Sequence, residues 1–306
     1  MRITGSISFF SSYFFILDDM NKPDFIIVGA MKSATSTLHA QLALQKGIFM
    51  THLKEPNYFS DNDQYKKGEE WYESLFLNAK EGDLCGESST HYTKLPHYPL
   101  TLERMSKRLV SPKLIYVMRH PIDRLVSHYI HQWSCGVITC DINQAINKHD
   151  ELVAYSCYAM QLEPYIKKYG RENVLCLFME SINSDPQAQL EKVADFIGYQ
   201  GLVEWEFDLA QQNVSRERLR NFLGYKILID NAVMVWIRRN CVPQVLRNCV
   251  KNYLSMQKRP VINSEQLEYL TAVFDDDLQQ LSIILGCKAV SCDNYNKVVV
   301  ELSRSI

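Results

Sequence analysis

Asp24-Phe-Ile-Ile-Val-Gly29-Ala-Met-Lys32-Ser-Ala-Thr-Ser-Thr37 is the stretch that decides the fold. Phe25 to Val28 form a short apolar, partly β-branched run, which predicts a strand buried on both faces. Gly29 ends the run, small and hydroxylated residues follow, and Leu38, Leu42 and Leu44 begin a helical pattern. A strand, a tight turn and a helix entered through Ser and Thr make an anion site. The N–H groups of the first helical turn point outward, and the helix dipole favours negative charge there. Lys32 adds a cation, and Ser33, Thr35, Ser36 and Thr37 add hydroxyl donors. The local reading is a phosphate-binding loop. The nucleotide-triphosphatase pattern G-x-x-x-x-G-K-[ST], started at Gly29, needs Gly and Lys where this chain has Ala34 and Thr35. Taken alone, the loop also fits a βα junction with an incidental lysine.

The strand-and-helix pattern continues outward. Leu84-Cys-Gly-Glu87 reads as a short strand, Lys113-Leu-Ile-Tyr-Val-Met118 as a clear one, and Asn173-Val-Leu-Cys-Leu-Phe-Met179 as another. Helical spacing runs over 68–80, 99–110 and 151–169, and from Pro121 through Leu125, Tyr129 and Trp133. It returns over 186–197, closed by Gly198, and over 264–286, closed by Gly286. Residues 48–61, interrupted by Pro56, read as a loop. This alternation predicts an α/β fold with a mostly parallel central sheet flanked by helices on both faces. No repeat or low-complexity linker breaks it, so residues 20–306 are expected to form a single domain.

The 306 residues are 46% hydrophobic and 22% charged, a soluble globular composition. A net charge of −2 supplies no global field for nucleic acid. Nine scattered cysteines without a C-x-x-C pair argue against zinc and fit a reducing, cytoplasmic compartment; no metal is expected. Ile7 to Leu17 is apolar but shorter than the ~20 residues that span a bilayer. Residues 1–19 are expected to be an extension outside the fold. Residues 216–259 hold ten Lys and Arg against two acids. They suit a membrane-surface helix, a basic wall facing an anion, or an amphipathic helix with a solvated basic face.

In an open parallel sheet, ligands bind beyond the carboxyl ends of the strands. Lys32 to Thr37 follow the first strand, Glu87 ends the short one, and Arg119 follows Met118, so all three belong on one edge. Arg119 with Ser127 supplies a bidentate cation and a hydroxyl for a second phosphate. Two anion sites on one edge suggest a nucleotide with phosphates at both ends of its ribose.

Gly29-Ala-Met-Lys-Ser-Ala-Thr-Ser-Thr37 resembles the 5′-phosphosulfate loop of sulfotransferases that use 3′-phosphoadenosine 5′-phosphosulfate (PAPS). Arg119-His-Pro-Ile-Asp-Arg-Leu-Val-Ser127-His-Tyr129 resembles their 3′-phosphate motif. Lys54-Glu-Pro-Asn-Tyr-Phe59 and Gly86-Glu-Ser-Ser-Thr-His-Tyr92 are similar to segments of the carbohydrate, heparan-sulfate-like branch. Tyr155-Ser-Cys-Tyr-Ala-Met-Gln-Leu162 is similar to bacterial members. Ala34 departs from the usual glycine. The resemblance implies a P-loop NTPase-like three-layer fold and sulfuryl transfer from PAPS to a carbohydrate, lipid or small-molecule acceptor. It implies that Lys32, Ser33, Thr35, Ser36 and Thr37 hold the 5′-phosphosulfate, and that Arg119 and Ser127 hold the 3′-phosphate. It implies that Glu87 serves as the base, that Tyr158 touches the adenine and that Arg218 closes over the 3′-phosphate; on chemistry alone His91 and His52, whose imidazoles ordinarily titrate nearer neutrality, are rival bases. The competing readings are a nucleotide kinase or NTPase, and a non-catalytic nucleotide- or membrane-surface-binding module.

Overall fold

The computed structural model describes residues 22–210, 256 and 258–305. The expected extension 1–19, Arg218 and most of the basic segment 216–259 lie outside the described residues. Among the described residues five strands make one sheet: β1 (Phe25–Gly29), β2 (Ile48–Met50), β3 (Leu84–Ser88), β4 (Lys113–Met118) and β5 (Val174–Phe178). Their order is β2-β3-β1-β4-β5, and every neighbouring pair is parallel. β2 falls inside the segment read as a loop. At three residues it is too short to show a period of two, and pairing with β3 makes it a strand.

Alternation along the strands places side chains on both faces of the sheet. Ile26 and Val28 join Leu114, Tyr116 and Met118 in one core, while Phe25 and Ile27 join Ile115 and Val117 in the other. Among the described residues the seven longer helices are α1 (Thr35–Ala43), α2 (Thr101–Arg108), α3 (Pro121–Ser134), α4 (Tyr158–Tyr169), α5 (Pro186–Ile197), α6 (Ser264–Leu285) and α7 (Tyr295–Ser305). α1 and α5 cover the second face through Leu38, Leu42, Leu190, Val193 and Ile197. Tyr158, Leu162, Leu270, Phe274 and Tyr295 of α4, α6 and α7 help cover the first. Gly198 (φ +79°) and Gly286 (φ +65°) end α5 and α6 in the left-handed conformation, as a C-terminal glycine does.

Two expected helices are shorter than their spacing suggested. Over 68–80 only Glu69–Ser74 is α-helical, preceded by a separate turn of helix at Asn62–Tyr65. Over 151–169 the chain breaks between Glu151–Ala154 and α4. That break frees Ser156, whose hydroxyl donates to Pro121 O at 3.1 Å and accepts from Arg124 Nε, tying the start of α3 to the start of α4.

The chain leaves β1 toward β2 and β3 on one side, and leaves β4 toward β5 on the other. The reversal opens a crevice at the carboxyl ends of β1 and β4, where this class of sheet binds ligands. Gly29 closes the floor of that crevice. A Cβ at this position would stand 2.1 Å from Thr93 Oγ1 and 2.7 Å from the Tyr116 ring. Thr93 itself donates to Val28 O at 2.6 Å, so the close approach is built into the packing.

Candidate functional site

A cleft of about 610 Å³ opens at these strand ends, within the usual range of ligand sites. Lys32, Ala34, Thr35, Ser36 and Thr37 line it from the β1–α1 turn, and Arg119 and Ser127 line it from the end of β4 and from α3. A guanidinium nitrogen of Arg119 lies 3.5 Å from the carbonyl oxygen of Lys32, so the β1–α1 turn and the end of β4 adjoin in the cleft. Ser33 Oγ is buried and has no hydrogen-bond partner among the described residues. A buried hydroxyl without a partner at a helix N-terminus has the chemistry of an anion contact.

The facing wall carries Lys54, Glu55, Thr90, His91 and Lys94. The Glu55 carboxylate is 28% exposed; it meets Lys54 Nζ at 2.8 Å and accepts from Thr90 N at 2.7 Å. Its backbone N–H donates to Ser88 O at 2.9 Å, so the 54–57 loop docks on the end of β3. Four non-glycine residues have positive φ among the described residues: Lys32, Ala34, Glu55 and Asn57. All four stand in the two loops that face each other across the cleft. The left-handed region costs an L-residue about 1–2 kcal/mol, and such strain collects at sites where geometry matters more than stability.

Glu87 is placed differently from the sequence expectation. It is fully buried and does not line the cleft. Its Oε1 accepts from Tyr72 at 2.7 Å and from Tyr92 at 3.0 Å, and its Oε2 accepts from Ser89 Oγ at 2.9 Å. Burial pushes its carboxyl up to about 7, against the opposing pull of these three hydroxyls. Tyr72 stacks on Tyr58 at 4.6 Å, so Glu87 is the polar anchor of an aromatic layer beneath the cleft.

Tyr158 also departs from expectation. Its ring is fully buried, and its hydroxyl accepts from Arg119 N at 3.3 Å and donates to Arg119 O. It holds the backbone that carries the arginine and presents no surface to an adenine. His91 does reach the cleft, where burial lowers its imidazole to about 4 and keeps it neutral at pH 7. Glu55 was not singled out from sequence. The available signal was its place beside Lys54, ahead of a proline that keeps the segment out of a helix.

A parallel α/β sheet whose switch point carries two adjoining cationic cradles defines a nucleotide-phosphate-binding protein. The chain belongs to the sulfotransferase domain family, whose pattern matches residues 22–282. Heparan sulfate glucosamine 3-O-sulfotransferase 3A1 of Mus musculus is 28% identical over 199 residues, covering 61% of this chain and 49% of that protein. Membrane-associated sulfotransferase kil1 of Dictyostelium discoideum is 34% identical over 116 residues, covering 36% of this chain and 24% of that protein. The chain thus spans half or less of the length of these relatives. A sulfotransferase structure from Alicyclobacillus acidocaldarius superposes with a TM-score of 0.61 at 21% identity, covering 87% of this chain and 97% of that one. That likeness establishes the P-loop-like fold.

Proposed function

We propose that this chain transfers a sulfuryl group from PAPS to a hydroxyl or amine of a carbohydrate, lipid or small-molecule acceptor. The observation that carries the reading is the single cleft. Two anion cradles meet on one side of it, and a held, solvent-reached carboxylate stands on the other.

The residues present fit the donor. Thr35, Ser36 and Thr37 bring the N-terminus of α1 to the cleft, Ser33 keeps a buried unpartnered hydroxyl in the same turn but off the cleft lining, and Lys32 and Arg119 supply charge for phosphates that stand apart on a ribose. PAPS supplies the sulfuryl group: its S–O bond to the 5′-phosphate breaks as the acceptor oxygen or nitrogen bonds to sulfur. Lys32, with the N–H groups opening α1, neutralises charge growing on the departing phosphate oxygen. Thr35, Ser36 and Thr37 orient the 5′ end, while Arg119 and Ser127 hold the 3′-phosphate. Tyr158 keeps Arg119 in place through its backbone.

Glu55 accepts the acceptor's proton. Among the described residues it is the carboxylate on the cleft wall, and Thr90 and Lys54 fix its orientation. Glu87 has no path to an acceptor because its oxygens are turned into the aromatic layer.

Calorimetry with 3′-phosphoadenosine 5′-phosphate (PAP), followed by a radiosulfate acceptor screen, tests the reading. PAP is expected to bind far more tightly than ATP with magnesium, and label is expected to move from PAPS to an acceptor. Tighter binding of ATP would favour a kinase or NTPase instead.

A further inference from the structure

The cations of the cleft divide by what holds them. Lys32 and Arg119 belong to the donor cradles, and Lys54 is paired with Glu55. Lys94 remains. It lines the same cleft on the Glu55 side and is 7% exposed, yet no carboxylate of the described residues lies within ion-pair distance of its ammonium. Its ammonium instead sits 5.7 Å above the Tyr155 ring.

Behind it the charge has the same sign. Arg124 is fully buried with no carboxylate partner among the described residues; Nε donates to Ser156 Oγ and Nη2 to Leu152 O at 2.7 Å. Arg124 Nη1 is buried with no partner. His128, stacked on Tyr155 at 5.7 Å, leaves its Nδ1 buried and unpartnered as well. Burial, with repulsion from Arg124, pulls Lys94 down to about 8, while Glu55 opposes the shift. Lys94 and Arg124 are like charges withdrawn from water, and Glu55, itself paired with Lys54, offsets only part of that cost; an anion entering the cleft relieves more of it.

We propose that Lys94, backed by Arg124, forms a subsite for an oxyanion (carboxylate, sulfate or phosphate) that the acceptor carries beside its nucleophilic group. The subsite rests on the sulfotransferase reading and narrows its acceptors to anionic ones. With the nucleophile at Glu55 and the oxyanion at Lys94, the acceptor is held at two points on one wall, and Lys94 orients it without touching the proton in transit.

Selenate soaked into crystals of the full chain with PAP locates the subsite through its anomalous signal. Selenium is expected within about 4 Å of Lys94 Nζ, and absent there in Lys94→Met, with PAP in place in both. No selenate at Lys94 while PAP occupies its cradles overturns the subsite alone. PAP failing to occupy the cleft overturns the sulfotransferase reading beneath it. In solution, radiosulfate transfer is compared between p-nitrophenyl glucuronide and p-nitrophenyl glucoside. The wild type is expected to favour the anionic glycoside on the order of tenfold in kcat/KM. Lys94→Met should abolish that preference with PAP affinity unchanged, and Lys94→Arg should restore part of it. Equal use of both glycosides by the wild type, or an equal loss on both in Lys94→Met, counts against the proposal. The selenate experiment decides the matter whether or not either glycoside is an acceptor.

Discussion

The carboxylates of Glu55 and Glu87 lie on opposite sides of the segment Ser88–Thr90. Glu55 accepts from the Thr90 backbone at 2.7 Å and looks into the cleft, while Glu87 accepts from Ser89 Oγ at 2.9 Å and looks into the aromatic layer. Asn57 N donates to that same Ser89 Oγ at 3.0 Å, so one serine braces both the loop that carries Glu55 and the buried Glu87. The two acids therefore have separable consequences when changed.

Glu55→Gln is expected to lower kcat by ~10²–10⁴-fold with PAP affinity held within about twofold, because it removes a proton acceptor and leaves the donor cradles intact. Glu87→Gln is expected to keep most of the turnover. Steady-state kinetics on any acceptor found by the radiosulfate screen, with parallel PAP titrations, checks both. The reverse pattern would return the base to Glu87.

Glu87 also makes a prediction about pH. Its folded value, about 7, lies above the unfolded 4.5, so the folded state holds this proton more tightly. The stability it contributes is fullest below pH 4.5, falls as pH rises, and is lost by about 7. Glutamine stays neutral and accepts from the same two tyrosines. Urea unfolding is therefore expected to show Glu87→Gln gaining on the wild type between pH 5 and 7.5, by on the order of 1–3 kcal/mol. A difference that is flat with pH would count against the buried, proton-holding role.

On the donor side, Lys32→Ala is expected to abolish transfer, since no other side chain from the β1–α1 turn brings a positive charge to the cleft. Arg119→Ala is expected to weaken PAP binding about 10–100-fold, the worth of charge-assisted hydrogen bonds to a phosphate. Tyr158→Phe removes the hydroxyl that clamps the Arg119 backbone. It is expected to weaken PAP by about 3–10-fold while leaving kcat close to wild type. Calorimetry separates the three. A Tyr158→Phe variant that binds PAP normally would remove its positioning role.

Ala34 sits at the cap of α1 with φ +64°. Glycine adopts that conformation without the steric penalty, so Ala34→Gly is expected to stabilise the fold by about 0.5–1 kcal/mol, read from the denaturation midpoint. PAP binding should hold or improve. Destabilisation would mean that the methyl group is packed rather than strained.

The amino-acid order by itself determined the parallel sheet and the placing of the Lys32–Thr37 turn and Arg119 on one edge of it. β1 and β4 are apolar runs followed by small, hydroxylated or basic residues, and a strand followed closely by a helix start places those residues on one edge whatever else the chain does. The Lys32–Thr37 turn and the Arg119–Ser127 segment were legible for that reason. Local signals also fixed the helix ends at Gly198 and Gly286, because a left-handed terminus favours glycine.

Only the tertiary structure decided which polar residues face the ligand. Glu87 and Glu55 are equally polar in sequence. Their fates depend on how the tertiary packing turns Tyr72 and Tyr92 onto Glu87 and on how the 54–57 loop docks on the end of β3, more than thirty residues away. The three-residue β2 exists through its pairing with β3, and Lys94 is buried on the cleft wall because of what the fold packs around it. Strand and turn signals act over a few neighbouring residues, whereas burial and charge pairing are settled by contacts between segments tens of residues apart. Such contacts leave no mark in local spacing.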